Sequence, residues 1–139
     1  MGSSDGAGRK KILFVCVENS ARSQMAEGFL RQMAPHIRVQ SAGTRPGAHV
    51  SPAAVRAMRE VGIDISGQAP KEVTREMLAG STVINMGCMD REACPALFVE
   101  GVADWKIDDP EGADAEQVEA IRDQIRDRIR ALIGEMGGE

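Results

Sequence analysis

Ile12, Leu13, Phe14 and Val15 form an unbroken apolar run, the pattern of a strand buried on both faces. After a polar turn the period changes. Met25, Phe29, Leu30 and Met33 share one face of a predicted amphipathic helix, with Ser20 or Ser23 available to cap its start. Ile37 to Ala42 reads as a second strand, and Gly43 to Gly47 as a turn-rich loop. Ser51-Pro52 is a helix start, a capping hydroxyl with proline at the first helical position. Ala54, Met58 and Val61 mark that helix's inner face, and Gly62 ends it. Ile63 to Ser66 is a short extended piece, and Lys71 to Leu78 predicts a helix closed by Gly80. Ser81 to Met86 is a third strand, Gly87 to Gly101 a long loop, and Val102 to Ile107 contains a short fourth strand. The last helix, Asp114 to Met136, carries the stripe Val118, Ile121, Ile125, Ile129 and Leu132. Charges alternate along its other face, which reads as solvated surface.

Strands alternating with helices predict an α/β fold: a three-layer sandwich whose four-stranded parallel sheet has helices on both faces. Ligands in such sheets bind beyond the C-terminal strand ends. The loops after strands one, three and four open there. They hold Cys16 with Arg22, Cys88 with Cys94, and Asp108-Asp109-Pro110. Three chemically loaded segments at one edge are the main topological pointer to a site. No repeat or long linker divides the chain, so residues 10–139 read as one domain behind a polar, disordered leader at residues 1–9.

Composition narrows the function. The chain has 139 residues, enough for a real core, and 42% are hydrophobic, as in ordinary soluble domains. A net charge of −4 offers no basic footprint for nucleic acid. No apolar run approaches the roughly 20 residues of a membrane span, so no membrane partner is expected. The start lacks the apolar core of a secretory signal, and the expected location is cytoplasmic. Three Cys is an odd count, unlike a secreted disulfide framework; in a reducing compartment it suggests reactivity, metal binding or plain burial. A zinc site needs four ligands, and only His36 and His49, neither near a Cys, could join the thiols; no metal is expected and the histidines receive no role.

The densest chemistry lies in Cys16-Val17-Glu18-Asn19-Ser20-Ala21-Arg22-Ser23. A strand–loop–helix unit leaves loop N–H groups converging at a helix N-terminus, and Arg22 can grip two oxygens of a tetrahedral anion with its fork. The same field favours the thiolate of Cys16 at the floor of the cradle. A buried structural Cys with a surface Arg is the plainer alternative; the strand before the motif and Ser23 after it favour the anion loop. Cys88 and Cys94, with five residues between them, can collect two electrons by thiol–disulfide exchange. Asp109-Pro110 is by itself an ordinary turn.

Phe14-Val15-Cys16, Asn19-Ser20, Arg22-Ser23 and Gln24 to Glu27 resemble the low-molecular-weight tyrosine phosphatase superfamily, and most of all its thioredoxin-coupled arsenate reductase branch. The resemblance runs from Lys10 to the last helix. It implies a general acid at Asp109, with Asp108 as the fallback. It implies a substrate loop of Val17, Glu18, Asn19, Ser20, Ala21, Arg22 and Ser23, in which Asn19 and Ser20 brace the backbone and Ser23 donates to the thiolate. It also implies arsenate as substrate and thioredoxin as electron donor to a relay of Cys16, Cys88 and Cys94, in a chain expected to be a monomer. Some relatives bind potassium beside the loop, and Asn19, Glu27, Ser41 and Asp64 match the residue types; a set of hydrogen-bonded braces explains them equally. Three departures stand out. Glu18 occupies a position often small, Ala21 replaces a Cys seen in several relatives, and no aromatic follows Asp109-Pro110 in a chain without Tyr. Two alternatives remain open at this point: a small phosphatase using Cys16, Arg22 and Asp109, and a non-catalytic, redox-switched oxyanion-binding module.

Overall fold

A computed structural model of the chain describes residues 11–87 and 102–136. The first apolar run becomes strand β1, Lys11–Cys16, buried at every position after Lys11. It lies between β2, Arg38–Gly43, and β3, Thr82–Asn85, with β4, Ala103–Asp104, beyond β3. All pairings are parallel, in the order β2-β1-β3-β4. Cys16 sits opposite Gly43, and Val15 opposite Asn85, so three strands end level. In the strand order, β2 follows β1 on one side and β4 follows β3 on the other. The crevice beyond the ends of β1 and β3 is therefore the switch point at which such sheets bind ligands.

Successive β1 side chains enter opposite layers. Ile12, Phe14 and Cys16 join the larger core. Helices α1 (Arg22–Met33) and α2 (Pro52–Glu60) contribute Phe29, Leu30 and Met58 to it. Leu13 and Val15 join a smaller cluster with Val83 and with Leu78 of the short helix α3, Arg75–Leu78. The last helix, α4 (Ala115–Glu135), adds Ile121, Ile125 and Ile129 to the larger core. Helices thus cover both faces, as expected, but unevenly. Two of the helix starts fall where the sequence places them. Ser51 Oγ accepts the Ala54 N–H at 3.3 Å with Pro52 at the first position, and Asp114 with Gln117 forms a reciprocal capping box.

The helix expected from Lys71 begins only at Arg75. Residues 71–73 instead extend along β2, an edge strand whose free backbone groups capture them. The Gly43 N–H donates to the Lys71 carbonyl at 2.8 Å, and the Val73 N–H to the Gly43 carbonyl at 2.9 Å. The leader at 1–9 and most of the predicted 87–101 loop, including Cys88 and Cys94, lie outside the described residues. Among those described, no helix is long and apolar enough to cross a membrane.

Candidate active site

Cys16 ends β1 and Arg22 opens α1; the carbonyl partners of the turn between them decide its shape. The carbonyls of Cys16, Val17, Glu18 and Ser20 accept the N–H groups of Thr44, Arg45, Gly47 and Ser51 at 3.2, 2.8, 2.9 and 2.8 Å. The Asn19 carbonyl accepts from Gln24 Nε2 at 2.9 Å. A trans peptide sets its N–H opposite its C=O. Carbonyls turned outward from 16 to 20 therefore leave the N–H groups of Val17 to Ala21 for the inside of the turn, an anion nest at a helix N-terminus. The close approach of β2 to this loop requires Gly43, where a Cβ would lie 2.5 Å from the Val17 carbonyl oxygen.

A chain of hydrogen bonds fixes what the sulfur meets. The Lys71 N–H can only donate, and it donates to Asn19 Oδ1 at 2.9 Å. The other end of that amide is then the donor, 2.7 Å from Ser23 Oγ. Having accepted there, Ser23 has its own proton left for Cys16 Sγ at 2.8 Å. The Asn19 N–H lies 3.2 Å from the same sulfur. Two donors facing one sulfur is the surrounding a thiolate needs. Asn19, at φ 53°, holds the left-handed conformation that Asn tolerates better than most residues. Gln24 ties the loop outward, donating also to the Ala69 carbonyl and accepting from Gln68 Nε2 at 2.6 Å.

Arg22 closes the cradle. Its Nη1 donates to the carbonyls of Met86 at 3.0 Å and Ile107 at 3.2 Å, and its Nη2 lies 3.6 Å from Asp109 Oδ2. Cys16, Arg22 and Asp109 line one cleft of about 690 Å³ with Glu18 and His49. Asp109 also borders a neighbouring hollow beside Gln117 and Ile121; its fallback, Asp108, lines that hollow and not the cleft. Asp109 is also the turn residue its sequence suggests, since its Oδ1 accepts the Glu111 N–H at 3.0 Å.

Residues 11–139 match the family described as low molecular weight phosphotyrosine protein phosphatase. The chain belongs to that family. Among its relatives is the glutaredoxin arsenate reductase of Synechocystis, 38% identical over 130 residues, 91% of this chain and 98% of the relative. An arsenate reductase solved in its phosphate binding state superposes with a TM-score of 0.80 at 38% identity, covering 91% of this chain and 98% of that one. The thioredoxin-dependent arsenate reductase of Corynebacterium glutamicum gives 0.78 at 31% identity, covering 97% and 67%.

Within this phosphatase-family frame, some expected roles fall differently. Neither Ser20 nor Ser23 caps α1; the cap is Ala21, without a side-chain bond, because the Ser23 hydroxyl is committed to Cys16 and Asn19. The helix N–H groups are thereby left for an anion. Ser20 acts on the loop through its carbonyl, and Asn19 Oδ1 braces the 71–73 segment. Glu18 is exposed, with its carboxylate over Gly47. The potassium candidates already have other partners. Glu27 accepts from Ser41 at 2.6 Å and pairs with Arg31, while Asp64 accepts the Ser66 N–H at 2.9 Å. The Ser66 hydroxyl first, and then that N–H, hold the Asp64 carboxyl below its usual range. These contacts are the hydrogen-bonded braces that the sequence equally allowed. Sequence reasoning gave no role to Asn85 or the Gln24–Gln68 pair; a polar residue on an otherwise apolar strand or helix face was the available signal.

Proposed function

We propose that the chain reduces arsenate to arsenite through a relay of Cys16, Cys88 and Cys94 that a dithiol protein such as thioredoxin restores. The observation carrying this reading is the meeting of Cys16, Arg22 and Asp109 in one cleft, with Ser23 and the Asn19 N–H facing the Cys16 sulfur from the buried side. Relatives named arsenate reductase support the substrate. The Cys16 thiolate attacks arsenic held by the loop N–H groups and Arg22. Asp109 gives a proton to the departing oxygen, which leaves as water, and a sulfur–arsenic bond forms. Cys88 then attacks Cys16 Sγ. The sulfur–arsenic pair moves onto arsenic, As(V) becomes As(III), and two thiols become one disulfide. Cys94 attacks Cys88, frees Cys16 and leaves Cys88–Cys94 for the external dithiol.

The test is turnover with arsenate, NADPH and either thioredoxin with its reductase or the glutaredoxin system, beside hydrolysis of a small aryl phosphate. Donor-dependent arsenite formation supports the proposal. Aryl phosphate hydrolysis without arsenite formation would return the chain to the phosphatase reading. Oxyanion binding without either turnover would make it a binding module.

A further inference from the structure

We propose that Gly87 is a positioning residue for the oxyanion clamp: lacking a Cβ, it lets the Arg22 guanidinium lie against the end of β3 and turn its two-donor edge to the cleft. The inference rests on the cleft's being an oxyanion site, and not on the redox steps. The peptide joining Met86 to Gly87 is held at both ends. Its carbonyl accepts from Arg22 Nη1 at 3.0 Å, and its N–H donates to Asn85 Oδ1 at 3.2 Å. That contact orients the buried Asn85 amide, whose Nδ2 donates to Asp104 Oδ1 at 2.8 Å across to β4. The Ile107 carbonyl takes the second Nη1 hydrogen. Both Nη1 hydrogens are therefore spent on the scaffold. Nε and Nη2 form the opposite edge of the planar fork, the edge that matches two oxygens of a tetrahedral anion.

This pose depends on the missing side chain. A Cβ at position 87 would fall 2.7 Å from Arg22 Nη1 and 2.8 Å from both Cζ and Nη2. The backbone there is fixed by Asn85, so the flexible guanidinium gives way and the anion meets an unanchored arginine. Preorganisation of the fork is what the substitution removes.

Gly87→Ala is expected to raise about tenfold the inorganic phosphate concentration that half-protects Cys16 from iodoacetamide, as for one lost charge-assisted hydrogen bond. If the chain reduces arsenate, the KM for arsenate should rise by a similar factor while kcat stays within about threefold. Unchanged half-protection, or a fall in kcat at constant KM, would overturn the proposal. Should Gly87→Ala not fold, the unmodified chain decides by ¹⁵N NMR of its arginine side chains. Hindered rotation of the anion-free Arg22 guanidinium and slow exchange of its Nη1 protons support the clamp, and free rotation overturns it. Absence of arsenate turnover in the unmodified chain would instead defeat the proposed activity, with phosphate protection still judging the clamp.

Discussion

Asn19→Asp exchanges an NH₂ for an oxygen and should redirect one proton. In the native loop Asn19 Nδ2 donates to Ser23 Oγ, and Ser23 gives its only proton to the Cys16 thiolate, which can only accept, at 2.8 Å. A carboxylate at position 19 still accepts the Lys71 N–H, which preserves the brace, but it now competes for the Ser23 proton. The sulfur loses a charge-assisted bond worth about 1.5–3 kcal/mol, roughly a 10- to 100-fold effect at 1.4 kcal/mol per decade. The readout is the second-order rate of iodoacetamide alkylation at neutral pH, with the Cys16 peptide separated by mass spectrometry from those of Cys88 and Cys94. Ser23→Ala removes the same bond and should slow the reaction over the same range. The double variant should be less than multiplicative, because no hydroxyl is left to redirect. Cys16 alkylation at the native rate in Asn19→Asp would refute the assigned direction of these bonds.

Asp109→Asn should slow formation of the Cys16–arsenic adduct about 10²- to 10⁴-fold in single-turnover quench experiments, the usual weight of a general acid. Asp108→Asn should have the smaller effect, and the reverse ranking would transfer the role to Asp108. Gly43→Ala should lower stability by about 1–3 kcal/mol in urea unfolding, since the new Cβ meets backbone atoms rather than a yielding side chain. A native midpoint in that variant would deny the close approach of β2 to the loop.

Most of the frame could be read from period and punctuation. The apolar run 12–15, the helical spacing of Met25 to Met33, and the Ser51-Pro52 and Asp114 starts each carry a local cause that the fold preserves. Lys71 to Val73 could not be read this way. Their neighbours in sequence suit a helix, but the open edge of β2 supplies better backbone partners, and that edge exists only in three dimensions. The site shows the same division. Cys16 and Arg22 announce themselves by spacing, because both act through their own chemistry. Ser23 was legible as a donor to sulfur, yet the direction of its bond depends on Lys71, distant in sequence. Gly87 read as one end of a long loop; its contact with Arg22 requires the ends of β1 and β3 to lie side by side.

Cys94→Ser, given arsenate and no external donor, tests the relay most directly. Arsenite and the disulfide state should be measured on the same sample, by speciation of the released arsenic and peptide mapping of the chain. The relay predicts about one arsenite per chain and a trapped Cys16–Cys88 disulfide, since the thiol that would resolve it is gone. Cys88→Ser, treated alike, should release none. Arsenite released by Cys88→Ser, or by Cys94→Ser without a Cys16–Cys88 bond, would contradict the relay.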